Sequence, residues 1–149
     1  MKWWKVKFTY SVELGASLAY KGHFKRTGDC NIRNIFQDEL DHRSFLGCLM
    51  FENGQEPNKI IDAIFLAIGT IVSVLCIISP LFLLNKIAYL LEIFAIYSYY
   101  DLAKEFPVYE TQFLVMAMTE ERHRDYFKSP YLSKSQVRKA IKEMEKWEL

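Results

Sequence analysis

Apolar residues recur every three to four positions along several stretches of this chain, a period that predicts helices rather than strands. The first predicted helix covers residues 8–26, and Gly28 follows it as a C-terminal stop signal. Asp29 can cap a second helix, which runs to the turn signal Asn53-Gly54. The first third of the chain is therefore predicted to form two successive helices.

A long apolar segment without a charged side chain occupies residues 63–84. Its length alone would allow it to span a membrane. Ser79-Pro80 interrupts the segment, and a serine followed by proline is typical of an N-cap and a first helical position. We therefore predict an apolar helix over residues 58–78 and a separate helix over residues 80–105.

The C-terminal part of the chain is predicted to be helical as well. Pro107 ends the preceding helix, and a further helix covers residues 108–127. Residues 133–136, Ser-Lys-Ser-Gln, match a capping box that would open a last, mostly polar amphipathic helix. The chain has 149 residues, and residues 1–149 are predicted to form a single all-α domain.

Charge and cysteine content exclude several classes of function. The 19 basic and 18 acidic side chains leave a net charge of +1, and the basic ones are scattered, so no nucleic-acid partner is expected. Cys30, Cys48 and Cys76 form no C-x-x-C motif, which excludes a zinc ribbon or a rubredoxin-type iron site on this chain. Unpaired, widely spaced cysteines favour a reducing compartment.

Two Glu-x-x-His motifs, Glu39 with His42 and Glu120 with His123, are the main chemical signal in the sequence. Positions three apart lie on one face of a helix, so each motif presents a carboxylate and an imidazole to the same point. The carboxylate can bridge two metal ions while the imidazole binds one of them. Two such motifs are typical of di-iron carboxylate centres in ferritin-like four-helix bundles.

Such a centre needs one more glutamate from each of the other two helices, and Glu13 and Glu92 are well placed to supply them. Glu92 lies inside the apolar run of residues 87–96, where burying an unpaired charge would cost roughly several kcal/mol. Oxygen ligands with some nitrogen suit iron or manganese. Because four buried carboxylates repel one another without metal, the metal-free protein should be less stable. The predicted ligands are Glu13, Glu39, His42, Glu92, Glu120 and His123.

Two tyrosines are candidate catalytic residues, because each lies seven residues after a predicted ligand. Tyr20 follows Glu13 and Tyr99 follows Glu92, which puts each tyrosine on the ligand's face of its helix. Both could serve as hydrogen-bond donors or redox-active neighbours of the metals. The alternative is that they are core aromatics whose hydroxyls find a partner. His23 has no glutamate at the motif spacing and is predicted at the pocket edge or the surface.

Three strings resemble the demethoxyubiquinone hydroxylases, the di-iron monooxygenases of quinone biosynthesis. ELGASLAYKGH at residues 13–23 is similar to the family's opening E-x-G-A-x-x-x-Y-x-G-Q. ELDH at residues 39–42, with Leu49-Met50 after it, resembles E-x-D-H and its trailing L-M, and EERHRD at residues 120–125 resembles the closing E-x-x-H-x-D. The resemblance covers residues 10–127, with Ser98 standing where the family tends to show a histidine.

The resemblance implies a ferritin-like bundle, with an apolar crossover helix, that lies on one leaflet as a peripheral membrane protein. It implies that two irons on the six predicted ligands react with O2 and a quinone-like lipid. Electrons would come from NADH or a redox partner, on the cytoplasmic side of a reducing compartment, and a homo-oligomer is compatible with it. Trp3 and Trp4 either lie at the membrane interface or close the end of the core.

Two other classes of protein fit the same residues. One is a ferritin-like iron-oxidising or peroxide-reducing protein that resembles rubrerythrin but uses an external electron donor, since no rubredoxin motif is present. The other is a non-enzymatic helical membrane or interaction protein whose acidic residues are merely paired. Bound metal would distinguish both iron proteins from the non-enzymatic protein. Dependence on detergent would distinguish the membrane-bound hydroxylase from the iron-oxidising or peroxide-reducing protein.

Overall fold

Five α helices make up residues 2–128, which are the residues that this computed structural model describes. A single 3-10 turn, Pro107–Tyr109, separates the last two helices. The predicted all-helical class is confirmed, and the predicted C-terminal amphipathic helix lies outside the described residues. The helices are α1 (Trp3–Thr27), α2 (Cys30–Glu52), α3 (Lys59–Ile78), α4 (Leu81–Glu105) and α5 (Glu110–Lys128).

The predicted helix signals account for most of the observed boundaries. Gly28 ends α1 in the left-handed conformation, with φ of 67°, and its N–H donates to the Phe24 carbonyl. The Asp29 side chain accepts from the Asn31 N–H at 2.8 Å and so caps α2. The Asn58 side chain caps α3 in the same way. These side chains satisfy backbone groups that a helix end would otherwise leave without partners.

Two predicted helix starts are wrong. The first helix begins at Trp3 rather than near residue 8, because the Trp3 ring packs edge-on against Phe106 at 5.1 Å and extends the helix into the core. Ser79 does not cap α4. It ends α3 in an extended conformation, as expected for a residue before proline, and Pro80 occupies the N-cap position of α4.

Four of the helices form a bundle, and α3 lies outside it. Helix α1 packs against both α2 and α3, and α4 packs against α5. Contacts between α1 and α4 and between α2 and α5 close the ring. The apolar helix α3 therefore connects the two halves of the bundle and covers one side of α1.

The buried side chains of the bundle form two apolar clusters at different heights. In each bundle helix, the predicted metal ligands lie between the residues of these two clusters. The ligands therefore occupy a polar layer in the middle of an apolar core. One cluster includes Val6, Leu46, Leu49, Tyr99 and Phe113; the other includes Tyr20, Ile32, Ile35, Ala88 and Phe127.

Small residues let α3 approach α1 closely. A Cβ atom added to Gly69 would lie 2.7 Å from the Gly15 carbonyl oxygen, and one added to Gly22 would lie 2.5 Å from that of Ser73. Real Cβ atoms do not approach backbone so closely, so these positions require glycine at this helix spacing. The backbones of α1 and α3 are consequently in direct contact.

Polar contacts tie both ends of α3 to the bundle. At its start, Asp62 accepts from the Ser11 hydroxyl at 2.5 Å and from the Arg43 guanidinium at 3.2 Å. At its end, Arg26 donates to the carbonyls of Cys76 and Ser79. These contacts satisfy carbonyls that the helix C-terminus leaves free. They hold α3 against α1 along its length.

The outward faces of α3 and α4 form an exposed apolar surface. Both helices are long and apolar enough to cross a membrane, by length and composition alone. Trp3 packs against the core, whereas Trp4 is 63% exposed, so only Trp3 helps to close the end of the core. The largest exposed apolar side chains of α3 and α4 include Ile60, Ile71, Ile77, Ile78, Phe82 and Tyr97.

Candidate metal centre

The structure brings all six predicted ligands together in the centre of the bundle. They come from four helices: Glu13 from α1, Glu39 and His42 from α2, Glu92 from α4, and Glu120 and His123 from α5. None is more than 7% exposed. Four glutamates and two histidines buried together are rare unless they bind something, because buried charges are costly without partners.

The six residues divide into two groups that share two glutamates. One group is Glu13, Glu39, His42 and Glu120, and the other is Glu39, Glu92, Glu120 and His123. Within each group, one ligand atom from every residue lies within 4.8 Å of the others. Glu39 and Glu120 belong to both groups, as expected for carboxylates that bridge two metal ions. Each group could therefore hold one ion.

Two buried atoms in the centre lack a hydrogen-bond partner. His42 Nδ1 and Glu120 Oε1 lie 2.8 Å apart, but they are not aligned for a hydrogen bond, and neither has another partner within residues 2–128. Unsatisfied buried polar atoms are uncommon, and an ion between or beside them is one explanation. Both atoms belong to the group around His42. Their donor types, imidazole nitrogen and carboxylate oxygen, fit a divalent iron or manganese ion.

The ring of His123 is fixed at both nitrogens. Its Nδ1 lies 3.0 Å from Glu120 and 3.8 Å from both Glu39 and Glu92. Its Nε2 lies 2.9 Å from a carboxylate oxygen of Asp38 on α2. Asp38 is a member of the site that sequence reasoning missed. Its adjacency to Glu39 was the signal available, but that gives no indication that its side chain reaches the opposite helix.

The two predicted tyrosines hydrogen-bond the two glutamates that belong to one group only, Glu13 and Glu92. The Tyr20 hydroxyl of α1 donates to Glu92 of α4, and the Tyr99 hydroxyl of α4 donates to Glu13 of α1. Both tyrosines are buried. Each therefore bonds the ligand of the opposite helix rather than that of its own. The hydrogen-bonding role is observed, and the catalytic role remains a prediction.

Burial and mutual repulsion alter the acidity of the cluster. Burial raises the pKa of Glu39 and of Glu92 well above the usual range, and the neighbouring carboxylates add to this effect. Burial acts to raise the pKa of Glu120 too, but its contacts with His123 and His42 outweigh it and hold that pKa below its usual range. Burial acts to lower the pKa of His123, but Glu120 and Glu92 outweigh it and raise that pKa to about 10. Bound protons thus balance the charge that a metal ion would otherwise balance.

An apolar cavity of about 180 Å³ reaches the centre from one side. Its walls come from α1, α3 and α4, and Glu13, Glu39, Glu92 and Tyr20 line its inner end. Tyr20 also lines a smaller adjoining cavity of about 30 Å³ together with His23. His23 is buried and stacks on Phe127 with ring centres 6.2 Å apart, so it lies at the pocket edge.

Two polar residues near the motifs lie outside the centre. Glu121 accepts a hydrogen bond from the Tyr100 hydroxyl at 3.2 Å, away from His123, so Glu120 is the glutamate that faces the cluster. The Ser98 hydroxyl donates to the Phe94 carbonyl of its own helix. Neither residue belongs to the two groups of candidate ligands described above.

Comparisons with models of known protein families, with curated proteins and with solved structures found no match for this chain. A helical bundle with a buried carboxylate and imidazole cluster is present, and this cluster could hold a metal ion.

Proposed function

We propose that this protein is a ferritin-like di-iron monooxygenase, associated with a membrane surface, that hydroxylates a quinone-like lipid with O2 and an external reductant. The observation that carries the proposal is a set of six buried ligands with two shared carboxylates, reached by an apolar cavity. The reductant is NADH or a redox partner. The resemblance to demethoxyubiquinone hydroxylases at residues 13–23, 39–42 and 120–125 supports the same conclusion.

Charge balance supports two metal ions rather than one. Four carboxylates carry four negative charges, which two divalent ions neutralise, so the loaded core would bear little net charge. One ion would leave an excess of negative charge in a region where each unpaired carboxylate costs several kcal/mol, roughly. Iron would supply O2 activation at this site when bound. Glu13 and His42 would hold one ion, and Glu92 and His123 would hold the other. Glu39 and Glu120 would contribute to both.

The size and lining of the cavity support a substrate with one small ring. A volume of about 180 Å³ is close to that of an apolar protein cavity of about 150 Å³ that binds benzene. Most of the wall is apolar, as Phe65, Ile68 and Val72 of α3 illustrate. A ring substituted with oxygens would fit there, with its polar groups near Tyr20 and the carboxylates at the inner end of the cavity. A long apolar tail would have to leave through the α3–α4 side.

The exposed apolar faces of α3 and α4 support attachment to one leaflet. Crossing the bilayer would require α3 to separate from α1, yet Asp62 and Arg26 tie the two ends of α3 to α1 and α2. Glu92, in the middle of α4, belongs to the central cluster and cannot lie in a lipid phase without a large penalty. Both helices therefore fit a membrane surface better than a transmembrane arrangement.

The test is metal content together with the response to a quinone. The purified protein should contain two irons per chain, and Glu120→Gln should lose metal while the neighbouring Glu121→Gln keeps it. Adding a short-chain quinone analogue should perturb the oxidised-iron absorbance, and reductant with quinone should drive O2 consumption. Folded protein that binds no iron would contradict the proposal.

A partial result would favour one of the other classes. Two irons per chain, without any effect of quinone on absorbance or O2 consumption, would favour a ferritin-like iron-oxidising or peroxide-reducing protein. That reading predicts that hydrogen peroxide reoxidises the reduced irons rapidly in the absence of any lipid. Stable protein without metal would favour a helical interaction or membrane protein.

A further inference from the structure

The two Glu-x-x-His motifs occupy equivalent places in the centre but differ in the residue that precedes the glutamate. Asp38 precedes Glu39, and Thr119 precedes Glu120. Each of these residues lies on the helix that faces the histidine of the other motif. The two histidines therefore face helices that carry different side chains at this position, a carboxylate in one case and a hydroxyl in the other.

Only the His123 ring has a carboxylate behind it among the described residues. Asp38 lies 2.9 Å from His123 Nε2. Thr119, in the corresponding position, donates to the Val115 carbonyl of its own helix and accepts from Arg122. No side chain within residues 2–128 hydrogen-bonds the outer nitrogen of His42, whose ring instead meets Tyr99 edge-on at 5.5 Å.

The carboxylates around the two histidines do not offset this difference, because the same kinds of contact occur in both groups. Each non-bridging carboxylate accepts one tyrosine hydroxyl, Glu92 from Tyr20 and Glu13 from Tyr99. The bridging carboxylates are common to both groups. The contact of Asp38 with His123 is thus an asymmetry between the two histidines that the carboxylates do not offset.

We infer that the two metal positions are inequivalent, and that the position formed by Glu92 and His123 binds the first ion more tightly than the position formed by Glu13 and His42. This inference rests on the proposed metal centre. A carboxylate that accepts from the outer nitrogen fixes the tautomer, turns the other nitrogen toward the metal and makes it a stronger donor. Removing such a partner typically lowers metal affinity by about 10–100-fold. Asp38 is therefore a positioning residue for one metal only.

The experiment is a titration of the metal-free full chain with Co²⁺ under anaerobic conditions, followed by calorimetry and visible absorbance. The wild type should bind two ions in separate steps whose affinities differ by about 10–100-fold. Asp38→Asn should weaken the tight step by a similar factor and bring the two steps together. Asp41→Asn, on an exposed side chain three residues along the same helix, is the matched control and should change neither step.

Three further variants test the assignment of the steps without relying on Asp38→Asn. His42→Ala should leave one ion at the tight affinity, and His123→Ala should leave one at the weak affinity. Thr119→Asp should strengthen the weak step by supplying a carboxylate behind His42. Circular dichroism confirms that each variant is folded before titration.

The outcomes distinguish this inference from the proposed function. Two ions bound with equal affinity would overturn the inequivalence and leave the metal centre intact. Unchanged steps in Asp38→Asn, or the tight affinity surviving in His123→Ala, would also overturn it. Folded wild-type protein that binds no Co²⁺ and no Fe²⁺ would overturn both.

Discussion

The stability of the metal-free protein should fall as the pH rises through neutrality, because protons take the place of metal in the centre. His123 shows the size of this effect. Its pKa rises from an ordinary value of 6.5 to about 10 in the folded chain, which corresponds to about 5 kcal/mol at about 1.4 kcal/mol for each tenfold change in proton affinity. Because the folded pKa lies above the unfolded one, this stability is fully present below pH 6.5 and is lost toward pH 10.

The carboxylates change the slope without reversing its sign. Glu39 and Glu92 also have raised pKa values, so the folded state is favoured below the unfolded value of 4.5 and disfavoured as the pH rises through the folded values. Glu120 has a lowered pKa, and its stabilising effect is lost only as the pH falls below 4.5. Between pH 6.5 and 8.5 the effect of Glu120 is therefore constant. His123 alone should lower the free energy of unfolding by about 2 kcal/mol over that interval, because its unfolded imidazole is still half protonated at pH 6.5.

The assay is urea unfolding of metal-stripped protein at pH 6.5, 7.5 and 8.5, followed by circular dichroism. A loss of about 2 kcal/mol is a substantial part of the roughly 5–15 kcal/mol that stabilises such domains, so the urea midpoint should move clearly. In His123→Gln, the free energy of unfolding should depend less steeply on pH, because unfolding then releases about one proton fewer. With metal, stabilisation should increase with pH instead, because binding displaces protons from the ligands. Metal-free stability that stays constant or rises over this range would refute the reasoning.

Three other substitutions test the surroundings of the centre. Tyr99→Phe removes the hydroxyl that donates to Glu13 and should destabilise the metal-loaded protein by about 1–3 kcal/mol in thermal unfolding; an unchanged midpoint would contradict this. Gly69→Ala places a methyl group against the Gly15 backbone. It should lower the free energy of unfolding in urea by about 1–3 kcal/mol, despite the better helix propensity of alanine. A stabilised variant would show that α3 can move away from α1. Ile78→Lys, on a side chain that is 76% exposed, should change stability by less than about 0.5 kcal/mol but weaken sedimentation with lipid vesicles, and equal sedimentation would count against the membrane surface.

The clustering of the six candidate ligands could be predicted from the sequence because helical geometry is local. A spacing of three residues fixes that Glu39 and His42 share a face, whatever the rest of the fold does. Glu92 was identifiable because its apolar surroundings leave a carboxylate without an evident partner. Tyr20 and Tyr99 followed from the seven-residue spacing, which returns to the same face after two turns.

Contacts between helices could not be predicted in the same way. The partner of Tyr20 is Glu92 and not Glu13 of its own helix, because the hydroxyl reaches across the bundle where the helix axes approach. Asp38 binds His123 for the same reason. Such pairings depend on the rotation of each helix about its axis and on the register between helices, which the spacing within a single helix does not determine.

The centre differs on its two sides, and this arrangement bears on how a reaction there would work. The cavity reaches Glu13, Glu39 and Glu92 between α1, α3 and α4, so apolar molecules would approach from the exposed apolar faces of α3 and α4. On the side of α2 and α5, His123 leads to Asp38, whose side chain is 41% exposed. An apolar molecule could therefore enter without crossing a polar surface, while Asp38 connects the His123 imidazole to the exposed polar side. Since Asp38 backs one imidazole only, the metal nearest this polar side would be the better anchored of the two.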